Sequence, residues 1–562
     1  MDNVFDFRNR LINEYSSFSR SFSKVSAQDI LSKVELEYDR GRYWPEPLIQ
    51  INPNYKRQST VQQLAHEGML HASCSHIFQT GKTEGRAADL HLYVHQLQAL
   101  AKAQKQQSYV VTTGTGSGKS LAFFVPIIDR ILKAKQADPQ KRTRAIVIYP
   151  MNALANSQLE ELDKFLHGYP DDQKPFTVAR YTGQESDADR KQIADNPPDI
   201  LLTNFMMLEL ILTRFEDVDR RVVEHCQGLE FLVLDELHTY RGRQGADVAL
   251  LVRRLRERLQ AHQLVCIGTS ATMSSTGTQA DRNQTVASVA SLLFGAQITE
   301  HDVIGETLER VTNPAKDIEA VKSLLKPALL KESYHWPDFA AFSDDPLAVW
   351  VELSLGIELP LDEPPRRARP VTLGDAAKRL ADDAQCTVEE AHAGLQRFLV
   401  AAHDVKTPQG RAPFAFKLHQ FISGPGKVLA TLEPEGVRHL TLDAQRFAPG
   451  RQDEGTQLYP VHFCRDCGQE YHPVWRSGQS QVEYAPREID DISGDDDENA
   501  RYGFLCPARP GQTYRGSIED LPESWLDLTK AEPKVKSTYR KYVPEDIQVS
   551  PQGWQGRGGG DY

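Results

Sequence analysis

Between Tyr109 and Ser120 the chain reads YVVTTGTGSGKS, a stretch that few folds can accommodate. An apolar run, Tyr109 to Val111, leads into a turn carrying Gly114, Gly116 and Gly118 and ending in Lys119 and Ser120. Leu121, Ala122 and Phe123 continue with helical character. Strand, glycine-rich turn and helix in that order make a phosphate-binding loop. Glycine backbones reach φ > 0 and turn their N–H groups onto phosphate oxygens, while the following helix presents its positive end. Thr113, Gly114, Thr115, Gly116, Ser117 and Gly118 are expected to line the loop. Lys119 is expected to reach the β- and γ-phosphates of ATP and the Ser120 hydroxyl to hold Mg²⁺. The strict pattern G-x-x-x-x-G-K-[ST] asks for glycine where this chain has Thr113.

The surrounding rhythm sets the fold class. Apolar runs recur at 108–113, 144–149, 176–181, 199–203, 230–234 and 264–269, and most are separated by segments of helical spacing such as Val248, Leu251, Leu255 and Leu259. Near-continuous apolar strands alternating with amphipathic helices predict an α/β domain built on a parallel sheet covered on both faces. Length alone allows roughly three or four domains. We read an N-terminal accessory extension at 1–89, the nucleotide-binding domain at 90–295, a mainly helical insertion at 296–412, a β-rich region at 413–510 and a Pro/Gly-containing tail at 511–562. Thr387 and Glu390 form a capping box within the helical part. The formal net charge of −12 excludes a global basic field, so any nucleic-acid contact must come from local groups. The first eleven residues lack a signal-peptide core, and the most apolar stretch, 200–212, is interrupted by Thr203, Asn204 and Glu209. A cytoplasmic protein without a membrane segment is the expectation.

A second constellation is FLVLDELH at 231–238, in which four apolar residues deliver two carboxylates to a strand end. Ligands of parallel α/β sheets collect there. Asp235 is expected to hold Mg²⁺, and Glu236 to act as the base that orients the attacking water. With Lys119 these are the predicted catalytic residues. Thr269-Ser270-Ala271-Thr272 ends the next apolar run, where Ser270 and Thr272 can connect to His238 and report nucleotide state. Gln96, upstream of the loop, has an amide that could read an adenine edge.

In this order the segments resemble superfamily 2 helicases: Gln96, TGTGSGKS at 113–120, YPMNALANSQ at 149–158, YTG at 181–183, LTN at 202–204, DELH at 235–238 and TSAT at 269–272. The stretch DELHTYRGRQGADVALLVRRLR at 235–256 is similar to the YprA/MrfA-like DNA helicases, a group with a cysteine cluster that includes large phage-defence helicases. The resemblance implies a RecA-like domain, ATP and Mg²⁺ as cofactors, and ATP-driven movement on DNA, 3′ to 5′ in known members, in repair or phage defence. It also implies that Pro150, Asn152, Gly183, Thr203 and Asn204 touch the DNA backbone. Asn152 stands where relatives often carry Arg, and Leu237 where they carry Ala. For Arg253, Arg254, Arg256 and Arg258, DNA contact and plain solvated helix charge are equally open.

Two further features bound the reading. The arginine-bearing pattern Q-x-x-G-R-x-x-R of a second RecA-like domain does not occur after residue 273. The expectation is therefore that a longer chain or a partner supplies that domain, and that these residues turn over slowly alone. An RNA helicase and a non-catalytic nucleotide- and DNA-binding subunit are the alternatives. Cys464-Arg465-Asp466-Cys467-Gly468 has the form of a zinc knuckle, with Cys506, His462 and His472 available to complete it. A plain reduced pair and a redox motif fit the same residues.

Overall fold

The structure, a computed structural model, describes residues 3–21, 24–114, 116–271, 278–361, 363–424, 426–491, 500–508, 517–529, 532–556 and 560–562. The chain divides into two units, one of residues 51–369 and 401–416, the other of residues 1–50, 370–400 and 417–562.

In the first unit, seven short apolar segments pair as one parallel sheet: β1 (Tyr109–Thr112), β2 (Ala145–Tyr149), β3 (Val178–Tyr181), β4 (Ile200–Asn204), β5 (Phe231–Leu234), β6 (Val265–Ser270) and β7 (Val303–Gly305). Their order across the sheet is β7-β1-β6-β5-β2-β4-β3. This is the RecA-like α/β arrangement that the alternating runs predict.

Alternate residues divide between two cores, as the two-residue period of a strand requires. Tyr109, Val111, Val147, Leu202, Val233 and Ile267 pack on one face with Leu100, Phe123, Ile127 and Ile131. Val110, Ile146, Ile148, Leu201, Leu232 and Cys266 pack on the other with Leu208, Val248, Leu251, Leu255 and Val286. Because all seven strands run the same way, the loops after β1, β5, β6, β2, β4 and β3 open along one edge, which places the motif residues on a common rim.

Two elements of this unit lie outside the periodic pattern. The first core includes Val61, Leu64, Leu70, Cys74, Ile77 and Phe78, and residues 57–60 pair antiparallel with 91–93, so it reaches well upstream of Leu90. Strand β7 follows the point where the rhythm is lost, and three residues are too few to show a period.

The second unit contains the helices Val4–Ser21 and Gln28–Asp39 and a sheet of antiparallel strands. Val428–Ala430 pairs with Leu440–Thr441 and with Tyr459–Phe463, and Glu470–Ser477 pairs with Glu483–Pro486 and Arg501–Leu505. Thr387 and Glu390 form the expected reciprocal cap.

Candidate nucleotide-binding site

The phosphate loop is tied from within and from behind. The Thr113 and Ser117 hydroxyls lie 2.6 Å apart, and both side chains are buried. Gly116 and Gly118 take φ of 79° and 67°, the left-handed region in which a side chain is strained. Behind the loop, His95 Nε2 lies 3.0 Å from the Ser117 carbonyl and Gln96 Nε2 donates to the Gly118 carbonyl at 2.9 Å. Gln96 Oε1 accepts from Tyr93 N–H at 2.8 Å. The Gln96 amide, 2% exposed, therefore couples its helix to the loop in this structure, with both ends committed to backbone. Burial lowers the His95 pKa and keeps the ring neutral. Ser120 opens the helix Leu121–Ala137. Thr115 lies outside the described residues.

Opposite the loop, β5 ends in the acidic pair. Lys119 Nζ stands 3.8 Å from Glu236 Oε1. Glu236 has φ 53°, an uncommon backbone for a side chain of this size and one that recurs at functional sites. Thr269 in β6 ties down both acidic residues: its hydroxyl donates to the Asp235 carboxylate and accepts from the Glu236 backbone N–H at 3.2 Å. Burial pushes the Asp235 carboxyl above the ordinary carboxylate range; the Thr269 hydroxyl draws it back and the Glu236 charge adds to the rise.

Glu236 Oε2 is buried without a hydrogen bond among the described residues, although His238 Nδ1 is 3.2 Å away. Ser270 gives its hydroxyl proton to the Ala271 carbonyl at 2.7 Å, so it can only accept from His238 Nδ1 at 3.3 Å. The predicted link between His238 and Ser270 is thus present. Thr272 lies outside the described residues. The half-buried Asp235 carboxylate suits Mg²⁺, a hard cation that takes oxygen ligands and completes its shell with water and phosphate.

The residues expected at nucleic acid also meet on the rim. Asn204 Nδ2 donates to Asn152 Oδ1 at 2.7 Å and to the Thr182 carbonyl at 3.1 Å, while its Oδ1 caps the following helix at Met207 N–H. Thr203 is fully buried and donates to the Tyr181 carbonyl at 2.6 Å, so its side chain holds β4 to β3 and the residue is not presented at the surface, unlike the expectation that it touches DNA. Gly183 has φ 88°, and its N–H donates to Glu185 Oε2 at 2.9 Å. Pro150 and Asn152 are half-buried at the end of β2. Of the arginines further along, Arg253 donates to the Leu292 carbonyl at 3.3 Å, Arg254 pairs with Glu209, and Arg256 donates to the Gly295 carbonyl at 3.1 Å.

Among the described residues the cysteine knuckle brings no third candidate ligand to its two thiols. Cys464 and Cys467 occupy the turn before Glu470–Ser477, with Gly468 N–H donating to the Cys464 carbonyl at 2.9 Å. Cys506 contacts the Glu470 carbonyl at 3.5 Å. His472 is fully buried with Nδ1 at 3.2 Å from the Pro460 carbonyl, and the His462 ring stacks on Tyr471. Among the described residues no group of three or more His, Cys, Asp or Glu is placed to hold a metal ion.

A parallel sheet with a phosphate loop after its first strand and a carboxylate pair after its fifth defines a RecA-like nucleoside-triphosphate-binding domain. Residues 93–280 match the family model of the DEAD/DEAH box helicase, and this segment is a helicase domain of that family. Among curated proteins, the ATP-dependent helicase YprA of Bacillus subtilis is 34% identical over 186 residues, 33% of this chain and 23% of the relative. The Lhr helicase/uracil glycosylase of Escherichia coli is 32% identical over 186 residues, 31% of this chain and 12% of the relative. The Druantia protein DruE of Escherichia coli is 26% identical over 293 residues, 33% of this chain and 16% of the relative. The match spans less than a quarter of the length of each of these relatives.

Three participants at the site escape a reading of motifs. Glu306, Arg367 and Glu185 are ordinary charged residues in the sequence, and only strand register and packing bring them to the rim.

Proposed function

We propose that this chain is the ATP-hydrolysing part of a DNA helicase or translocase. The observation that carries the reading is the facing arrangement of Lys119 with Glu236 and of Thr269 with the Asp235 carboxylate and the Glu236 backbone N–H. In this scheme the loop amides and Lys119 hold the β- and γ-phosphates. Ser120 and Asp235 would hold Mg²⁺, which supplies charge neutralisation at the transferred phosphoryl group. Glu236 accepts a proton from the attacking water and orients it, while His238 and Ser270 link that carboxylate to β6. Asn152, Asn204 and the amides near Gly183 present short polar groups suited to a phosphate backbone, which give position without sequence preference.

The second wall of the site, with its arginines, belongs in this reading to another RecA-like domain, in a longer chain or in trans. Zinc is left out of the proposal, since no third ligand stands with the two thiols among the described residues. A role in repair or in phage defence is compatible with the relatives' names, as is a cytoplasmic location. No helix among the described residues is long and apolar enough to cross a membrane.

The test is ATP hydrolysis by the purified chain with and without single-stranded DNA, tailed duplex and RNA. Glu236→Gln should lower turnover by about 10²-fold or more while nucleotide binding persists, as loss of a general base does. Equal turnover in that variant removes the catalytic assignment. Stimulation by RNA and not by DNA favours the RNA helicase, and binding without hydrolysis under all conditions favours the switch subunit.

A further inference from the structure

Glu306 follows β7 directly, and the register Gly305↔Thr112 sets it beside the start of the phosphate loop. Its Oε2 accepts from Gly114 N–H at 3.0 Å. The same oxygen lies 3.4 Å from Arg367 Nη2. Arg367 reaches this place from the short pair Ile357–Glu358 and Arg366–Arg367, whose Ile357 is buried with Tyr55 and Leu308. Asn52 Oδ1 accepts from Arg367 Nη1 at 2.6 Å and the Tyr55 hydroxyl from Nη2 at 2.5 Å, and the guanidinium carbon stands 5.7 Å from the Tyr55 ring centre.

The guanidinium lies directly on the loop. A Cβ added to Gly114 would fall 2.7 Å from Arg367 Nη2 and 3.3 Å from Nε. Nε is buried and has no hydrogen-bond partner among the described residues. A cation with a spare donor, a backbone N–H of a phosphate loop and a carboxylate shared between them mark an anion position. The protein fills that position with a side chain of its own.

We propose that Arg367 is a phosphate-contacting residue of the nucleotide site and that Glu306 is its internal competitor. An incoming nucleoside triphosphate displaces the Glu306 carboxylate from Gly114 N–H and Arg367 and takes both donors. Displacing a carboxylate from a guanidinium and an amide favours the ligand that brings more negative charge, so the pair selects triphosphate over diphosphate. Arg367 belongs to none of the helicase segments and supplies from within this unit a cation on the phosphates. The inference rests on the ATP-binding reading above.

Equilibrium binding of a fluorescent non-hydrolysable ATP analogue and of fluorescent ADP, both with Mg²⁺, tests it. Arg367→Ala should weaken the triphosphate by about tenfold or more and the diphosphate by less, which is the scale of a lost charge-assisted hydrogen bond. Arg367→Lys should keep part of the affinity, because it keeps the charge without the planar fork. Glu306→Gln should tighten the triphosphate several-fold. Weaker binding in Glu306→Gln, or an equal loss for both nucleotides in Arg367→Ala, overturns the proposal. If Arg367→Ala fails to fold, the Lys and Gln variants decide alone. Lys119→Ala tests the parent reading separately: if it binds both nucleotides as well as the unaltered chain, the ATP site itself is misassigned.

Discussion

Leu237 and Gly268 show what a single position can hide. Leu237, in the place where relatives carry alanine, is fully buried against β6, and Gly268 provides the room. A Cβ on Gly268 would press on the Leu237 Cδ1 atom, lie 3.0 Å from its Cγ and come within 3.2 Å of Phe294 Cζ. The size of the residue after the acidic pair and the missing side chain on the next strand are therefore coupled by packing. Gly268→Ala should cost about 1–3 kcal/mol of stability, the usual range for overpacking, read from urea unfolding. In a Leu237→Ala background the same change should cost little, and a full cost there would deny the coupling. Sequence exposed the acidic pair because it is contiguous, and it could not expose this partnership because thirty residues separate its halves. Arg367 and Glu306 were illegible for the same reason: each is a common residue type whose meaning comes from what it faces.

Strands and helices were legible in proportion to their length and period. The six apolar runs became β1 to β6 because each residue of a buried parallel strand faces one of two cores. Strand β7 and the upstream pair at 57–60 and 91–93 escaped, being short and half polar. In the second unit, His472 sits at the centre of its sheet, on the strand Glu470–Ser477, and pairs with Leu505. Burial drops its pKa to about 4, so the folded ring stays neutral while the unfolded chain takes a proton near pH 6.5. The folded state thus binds fewer protons, and stability is lost as pH falls below about 6.5, levelling near pH 4. The loss should reach about 3 kcal/mol. His472→Gln keeps a donor for the Pro460 carbonyl and removes the titration, so its urea midpoint should vary less with pH across that window. An unchanged slope in the variant would assign the effect to other groups.

For the molecule as a whole, one RecA-like sheet supplies phosphate binding, a base and a rim of short polar groups. Turnover with DNA at rates typical of enzymes, about 10 s⁻¹, is expected only when a second RecA-like domain adds its arginines. Steady-state hydrolysis by these residues alone should stay well below that, and adding a second RecA-like domain should raise it. If an acidic chain is to grip a polyanion, as proposed, it faces a particular difficulty, which Glu185 illustrates. This carboxylate accepts from Thr182 N–H at 2.7 Å and Gly183 N–H at 2.9 Å and is bridged to Arg180 at 2.6 Å. Burial works against its charge, yet these donors outweigh it and hold the group below the usual carboxylate range. If the rim receives a nucleic-acid backbone, as proposed, such a tethered anion would work there as a sieve. Chloride or free phosphate gains too little at one point to evict a side chain whose effective concentration never falls. A polymer that binds simultaneously at Asn152, Asn204 and their neighbours gains enough to do so. The carboxylate would then admit strands and turn away salts.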